Sequence, residues 1–80
     1  MIEKIINITG ADRQTASMLA VMFCIFETPM SFKETSEYIG VKRDPVFNLF
    51  TSSKKRMGYS KAFRDMYKEV KLEIVTPKNK

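Results

Sequence analysis

The N-terminal segment carries isoleucines at helical spacing, at Ile2, Ile5 and Ile6. The Thr9-Gly10 pair interrupts this pattern, so we predict a short helix before it. Asp12 is a favourable N-cap for a second helix that runs to about Glu27. That helix is apolar around most of its circumference, at Met18, Leu19, Val21, Met22, Phe23, Ile25 and Phe26. Such a helix needs other elements packed against more than one of its sides.

The next helix is bounded at both ends by residues that favour helix termini. The Thr28-Pro29 pair ends the preceding helix. Ser31 and, three positions later, Glu34 form a capping box, which predicts a helix over Phe32 to Ile39. Gly40 follows, and glycine readily adopts the left-handed conformation that closes a helix.

The following helix has one apolar and one polar side. Val41-Lys42-Arg43 is predicted to be a turn, and Asp44-Pro45 supplies a preferred N-cap followed by a proline at the first helical position. We predict that this helix ends at Gly58. Its buried stripe is expected at Val46, Leu49, Phe50, Ser53 and Met57. Its opposite side is polar or basic apart from one aromatic ring, at Phe47, Asn48, Thr51, Ser52, Lys54 and Lys55.

The C-terminal part of the chain allows two interpretations. Apolar and polar residues alternate with a period of two from Val70 to Ile74, which predicts a strand. A partner strand over Tyr59 to Phe63 and a loop over Arg64 to Lys68 would complete a hairpin. The competing interpretation is a helix over Lys61 to Val70, with Phe63, Met66, Tyr67 and Val70 on its apolar side.

Composition and charge narrow the choice of partner. The 80 residues, 44% of them hydrophobic, suffice for one core, so we predict a single domain over residues 1–76 and a flexible tail at 77–80. The formal net charge is +5. Residues 1–41 hold three basic and five acidic residues, whereas residues 42–80 hold eleven basic and four acidic residues. We therefore expect the second half to face a polyanion.

The inventory of residues excludes several kinds of site. The chain has no His and one Cys, so we expect no disulfide within the chain, no metal and no cofactor. Ser52-Ser53-Lys54-Lys55 contains a Ser-x-x-Lys motif, but no partner motif accompanies it, and we predict neither enzyme activity nor a catalytic residue. The apolar segment Ala16 to Phe26 is shorter than the roughly 18 residues that span a bilayer. We expect a reducing, cytoplasmic setting, which is the host cytoplasm if a virus encodes the protein.

The predicted elements follow the order of a winged helix-turn-helix: a capped short helix, a glycine turn, a helix with a polar outer side and a basic hairpin. The segment from Pro29 to Val41 resembles the helix-turn opening of the MarR family of regulators. Gly58-Tyr59, Arg64-Asp65 and the strand from Val70 to Lys78 resemble the wing of that family. The similarity covers about residues 13–78, and the IclR-type winged helix is similar over the middle segment. We therefore expect a mainly α fold with a small β-hairpin wing.

The resemblance implies a sequence-specific transcriptional regulator that binds double-stranded DNA. In such proteins the helix that here starts at Asp44, the third of the motif, lies in the major groove, and the wing follows the backbone or the minor groove. The wing of the family commonly carries Asp-x-Arg, where this chain has Asp65-Met66-Tyr67. Arg64 or Lys68 is then left to take the place of the arginine that enters the groove.

The candidate DNA-binding residues come from the turn, the outer side of the helix and the hairpin. They are Lys42, Arg43, Phe47, Asn48, Thr51, Ser52, Lys54, Lys55, Lys61, Arg64 and Lys68. Asn48 suits a bidentate contact with adenine and Arg43 one with guanine, while lysines suit phosphates. Phe47 has three possible roles: contact with a thymine methyl group, packing against Tyr38 or the wing, or membership of a protein-binding patch.

Two alternatives concern other partners. A winged helix can instead bind a protein, such as a polymerase or a replication or defence protein, here through Phe47 and the apolar first helix. The chain is also expected to form a homodimer through residues 1–26, because few elements are left to cover the helix from Arg13 to Phe26. A two-fold dimer would hide that surface and place two recognition helices about one DNA turn apart. We expect no membrane partner.

Overall fold

The computed structural model describes residues 1–28 and 30–74, and these residues form five α-helices. They are α1 (Ile2–Thr9), α2 (Arg13–Glu27), α3 (Phe32–Ile39), α4 (Arg43–Tyr59) and α5 (Lys61–Ile74). The mainly α character is thus as expected. The tail at 77–80 and the domain boundary at 76 lie outside the described residues. Within the described part of the chain, none of the helices has the length and hydropathy needed to cross a bilayer.

Capping residues set the ends of the first three helices, as predicted. The Asp12 carboxylate accepts a hydrogen bond from the Thr15 backbone N–H at 3.3 Å, which starts α2. Ser31 and Glu34 form the capping box, with the Glu34 carboxylate 2.9 Å from the Ser31 backbone nitrogen. Gly10 and Gly40 adopt the left-handed conformation, with φ of 74° and 89°, and end α1 and α3.

Helix α2 forms the centre of the fold, and the other four helices all pack against it. Its buried residues are Thr15, Ala16, Met18, Leu19, Ala20, Val21, Met22, Phe23 and Cys24. Ile2 and Ile5 from α1 join the core from one side, and Phe63, Tyr67 and Val70 from α5 join it as well. The apolar surface of α2 is therefore covered as far as Cys24 by other helices of the same chain, including α5, whereas Phe26 is 54% exposed.

The predicted β-hairpin wing is wrong, because residues 61–74 form a single helix and the described residues contain no strand. Phe63, Tyr67 and Val70 recur at helical spacing, and all three are buried. The competing prediction of a helix over Lys61 to Val70 is confirmed, and the helix continues to Ile74. The two-residue alternation was misleading because Leu72, the residue expected in the middle of the buried strand face, is 56% exposed.

Both ends of α4 differ from the prediction. The helix begins at Arg43 with Lys42 as its N-cap, so Pro45 lies inside the first turn, where a missing N–H breaks no helical hydrogen bond. Gly58 does not end the helix, because its φ is not positive and α4 continues to Tyr59. The interruption falls at Ser60, whose backbone is extended. The Ser60 Oγ atom accepts a hydrogen bond from the Phe63 N–H at 3.1 Å, which starts α5.

Candidate nucleic-acid interface

Helices α3 and α4 are joined by three residues, 40–42, and pack against each other and against α2. This short glycine-containing connection is typical of a helix-turn-helix. Phe32, the first residue of α3, contacts Phe47 and Phe50 of α4 edge to face, with ring centroids 5.8 and 5.2 Å apart. These aromatic contacts fix α4 relative to α3, and one side of α4 is left facing solvent.

The inner side of α4 is anchored on α2. Of the five residues predicted to form its buried stripe, two are fully buried, Val46 and Ser53, and three are half-buried, Leu49, Phe50 and Met57. The Ser53 Oγ atom lies 2.6 Å from the Leu49 carbonyl oxygen and 3.2 Å from the Met18 carbonyl oxygen, so its single proton is available to either. Arg56 also points inward, with its guanidinium carbon 5.1 Å from the centroid of the Phe63 ring. Arg56 thus serves packing and does not belong to the exposed basic surface.

The outer side of α4 is exposed at every residue that the sequence placed there. These residues are Phe47, Asn48, Thr51, Ser52, Lys54 and Lys55. Asn48, Thr51 and Lys55 follow one another at helical spacing and therefore share one side. The chain has no Asp or Glu from residue 45 to residue 60, so α4 carries no acidic residue after Asp44 in its first turn. Lys42 is also exposed, whereas the side chain of Arg43 lies outside the described part of the structure.

The three candidate residues that were assigned to a wing lie on α5 instead. Lys61, Arg64 and Lys68 are exposed on one side of this helix, and Lys71 continues the row by one turn. Asp65, Glu69 and Glu73 lie at a spacing of four on the adjacent side, so the charges of α5 are segregated into a basic row and an acidic row. The sequence spacing carries this signal, but only when the segment is treated as a helix. Lys71 was not among the predicted site residues.

Two cations of the basic row also hold the fold together. The Arg64 guanidinium donates a hydrogen bond to the Met57 carbonyl oxygen at 2.8 Å, near the end of α4. Lys71 lies 3.5 Å from the Glu27 carboxylate and 5.8 Å from the centroid of the Tyr67 ring. The Arg64 contact places the start of the basic row beside the C-terminal end of α4, whereas Lys71 at the other end of the row lies against α2.

Two aromatic residues near the candidate interface, Phe47 and Tyr67, differ in exposure. Phe47 is 57% exposed and contacts Phe32, so it packs neither against a wing nor in the core. Tyr67 is buried, and its hydroxyl donates to the Glu27 carboxylate at 3.0 Å. Burial and the neighbouring Glu27 carboxylate raise the pKa of Tyr67 well above its ordinary value. Tyr67 is therefore unavailable for stacking on a base.

Most of the surface that a dimer through residues 1–26 was expected to hide is already covered, and the exception is Phe26, which is 54% exposed. From Met18 to Cys24 every residue of α2 is buried within one chain. The homodimer itself stays a prediction. In the described residues no group of three or more His, Cys, Asp or Glu side chains is arranged to hold a metal ion.

Comparison of the chain with protein-family models, with curated proteins and with solved structures finds no match. No site residues can therefore be carried over from a relative. The function has to be inferred from the position, exposure and charge of the side chains described above.

Proposed function

We propose that the protein binds double-stranded DNA through the outer side of α4 and regulates transcription in the cytoplasm, or in the host cytoplasm if a virus encodes it. The observation that carries this proposal is the exposed side of α4, which follows a three-residue turn and presents amide, hydroxyl and ammonium groups without a carboxylate between residues 45 and 60. A helix of this kind fits the major groove, where base edges present donors and acceptors.

The side chains on this surface suit two kinds of contact. Asn48 has the bidentate amide that pairs with adenine, and it lies in the first half of α4, the end that enters the groove in a helix-turn-helix. Lys54 and Lys55 lie one to two turns further along and suit phosphates. Thr51 lies between Asn48 and these lysines, and its hydroxyl donates a hydrogen bond to the Phe47 carbonyl oxygen at 3.1 Å.

The basic row of α5 provides the phosphate contacts that the resemblance assigned to a wing. Helix α5 begins one residue after α4 ends, so Lys61 and Arg64 follow the C-terminal end of the proposed recognition helix. All four cations of the row are exposed. A row that neutralises phosphates on the flanking backbone releases counterions, which makes binding strongly dependent on salt.

The proposal is tested by fluorescence anisotropy with a duplex selected from a random library and with a random duplex, over a series of salt concentrations. Lys55→Ala and Lys61→Ala should weaken binding to both duplexes and flatten the salt slope by about one unit each. Asn48→Ala should cost roughly 1–3 kcal/mol on the selected duplex and little on the random one. Lys4→Ala, an exposed cation on α1, is the matched control and should change neither affinity.

A protein-binding function is the second candidate, favoured by the exposed ring of Phe47. It predicts affinity for a protein partner that is insensitive to salt and no affinity for duplex DNA. Failure of both Lys55→Ala and Lys61→Ala to weaken binding to random duplex would remove α4 and α5 from DNA binding.

A further inference from the structure

A groove of about 400 Å³ runs between the first two turns of α2 and the first three turns of α4. Its polar walls are the amides of Gln14 and Asn48 and the hydroxyls of Ser17 and Ser52, and Met18 and Leu49 are its more buried lining residues. None of the described lining residues carries a formal charge. The groove therefore presents neutral hydrogen-bonding groups from two helices.

This groove opens on one edge of the surface proposed for DNA. Asn48 and Ser52 belong to the exposed outer side of α4 and also line the groove. Phe47 lies on the opposite flank of that outer side, where it contacts Phe32 of α3. The outer side of α4 is thus bordered by α3 on one flank and by the first turns of α2 on the other.

Buried contacts hold α2 and α4 in register beneath the groove. The hydroxyl of the fully buried Ser53 lies 3.2 Å from the Met18 carbonyl oxygen. The Arg56 guanidinium lies 3.8 Å from the Met18 sulfur atom. Both contacts join Met18 to α4, so the position of α4 also fixes where the first turns of α2 lie.

The dimensions of the duplex determine what the first turns of α2 can reach when α4 is bound. An α-helix with its side chains is about 10–12 Å across, and the major groove of DNA is about 12 Å wide. The major groove therefore admits α4 without a second helix at its side. A helix packed beside α4 then lies over the sugar-phosphate backbone that borders the major groove.

Gln14 is the residue of α2 that suits a phosphate at this edge. It is exposed, and its amide carries two N–H donors, which commonly bind phosphate oxygens in protein–DNA complexes. The Ser17 hydroxyl, by contrast, already donates to the Arg13 carbonyl oxygen at 2.9 Å. Asp12, the acidic residue that precedes α2, caps this helix, and its carboxylate accepts the Thr15 hydroxyl at 2.6 Å.

We propose that Gln14 binds a backbone phosphate of the duplex when α4 lies in the major groove, and that this contact positions α4 without reading the sequence. The inference rests on the proposed DNA-binding function and extends its surface from α4 to α2. Because Gln14 is uncharged, its contact releases no counterion. Gln14 therefore contributes affinity without the salt dependence that the lysines of α4 and α5 produce.

The test is fluorescence anisotropy of the full-length protein with the selected duplex and the random duplex, over a series of salt concentrations. Gln14→Ala should weaken binding to both duplexes by the same factor, about three- to tenfold, and should leave the salt slope unchanged. Gln14→Lys should strengthen binding to both duplexes and steepen the slope by about one unit. Asn7→Lys adds the same charge to an exposed amide of α1 outside the groove and should leave the slope nearly unchanged. Circular dichroism of each variant establishes that it is folded.

Three results overturn the inference about Gln14. The first is unchanged affinity of Gln14→Ala for both duplexes. The second is a loss confined to the selected duplex, which would make Gln14 a residue that reads bases. The third is equal steepening of the slope by Gln14→Lys and Asn7→Lys, which would mean that the added charge acts from any part of the surface.

Failure of this inference is distinguishable from failure of the proposed function. If Lys55→Ala and Lys61→Ala weaken binding to the random duplex and Gln14→Ala does not, α4 and α5 bind DNA without α2, and only the inference about Gln14 is overturned. A wild-type protein that binds neither duplex overturns both proposals.

Discussion

The hydrogen bond between Tyr67 and Glu27 provides a direct test of how α5 is held against α2. The Tyr67 hydroxyl lies 3.0 Å from the Glu27 carboxylate and 3.4 Å from the Met22 carbonyl oxygen. Tyr67→Phe removes the hydroxyl but keeps the ring that fills the core. We expect the variant to keep its helix content and to lose stability, because the carboxylate loses a donor at a buried position.

The size of the loss follows from the surroundings of the two groups. A hydrogen bond to a charged group contributes about 1.5–3 kcal/mol. Glu27 keeps some access to water and keeps Lys71 at 3.5 Å when the hydroxyl is removed, so the lower end of that range applies. We expect a decrease of about 1.5 kcal/mol in the free energy of unfolding, which for a domain of this size lowers Tm by about 6–12 °C.

Thermal and urea denaturation at pH 7, followed by circular dichroism, measure the loss. A double-mutant cycle adds Glu27→Ala in the wild-type and in the Tyr67→Phe background. The pair between Glu27 and Lys71 is lost in both backgrounds and cancels, so the coupling energy reports the hydroxyl and carboxylate alone. We expect a coupling of about 1 kcal/mol.

Two results would refute this reasoning. A fall in Tm of less than about 2 °C would mean that the hydroxyl contributes little to folding. A full loss of stability with no coupling to Glu27 would mean that the hydroxyl donates to the Met22 carbonyl oxygen instead. Either result would remove Glu27 as the residue that anchors α5.

Three further predictions concern pH and the helix ends. The pKa of Tyr67 is raised in the folded state, so the stabilisation by its protonated hydroxyl is complete below the ordinary tyrosine pKa of 10.0 and is lost as the pH rises above that value. The difference in free energy of unfolding between wild type and Tyr67→Phe, measured by denaturation from pH 8 to 11, should therefore shrink by about 1.4 kcal/mol per pH unit above pH 10. Gly58→Ala should raise the free energy of unfolding, measured in urea, by about 0.4–1 kcal/mol, because Gly58 is helical and has open space around it. Gly40→Ala should lower the free energy of unfolding, because Gly40 has a φ of 89°. A destabilised Gly58→Ala variant would contradict the continuous α4. Ser60→Ala removes the acceptor for the Phe63 N–H and should cost about 1 kcal/mol, with Ser52→Ala, an exposed serine within α4, as the control that should change little.

Helix caps made the first half of the fold predictable from the sequence. Asp12, Ser31 with Glu34, and Gly40 each act on the backbone within four residues, so their effect does not depend on the rest of the fold. The buried stripe of α4 was likewise predictable, because Val46 and Ser53 follow the helical period. Exposure of the candidate DNA-binding side of α4 follows from the same period.

The prediction for the C-terminal segment was wrong because a short alternating pattern competed there with a longer helical one. Five alternating residues from Val70 to Ile74 fit a strand, but the helical spacing of Phe63, Tyr67 and Val70 extends over a longer segment and brings three side chains into the core. Gly58 was predicted to end α4, although glycine inside a helix costs only about 1 kcal/mol, which tertiary packing readily offsets. The pairs made by Arg64 and Lys71 with other helices depend on the tertiary fold, and local sequence patterns carry no signal for them.

The enclosure of α2 gives its one thiol an unusual property. Cys24 is fully buried near the C-terminal end of this helix, and burial raises the pKa of its thiol, so the reactive thiolate is both scarce and inaccessible in the folded chain. Because Cys24 is fully buried, a reagent gains access to its thiol when the packing around it opens. When reclosing is faster than modification, the rate of thiol modification in native buffer equals the opening equilibrium multiplied by the rate for an exposed cysteine. The chain therefore carries in its single cysteine an internal reporter of the opening of the packing around α2, readable without denaturant or binding partner.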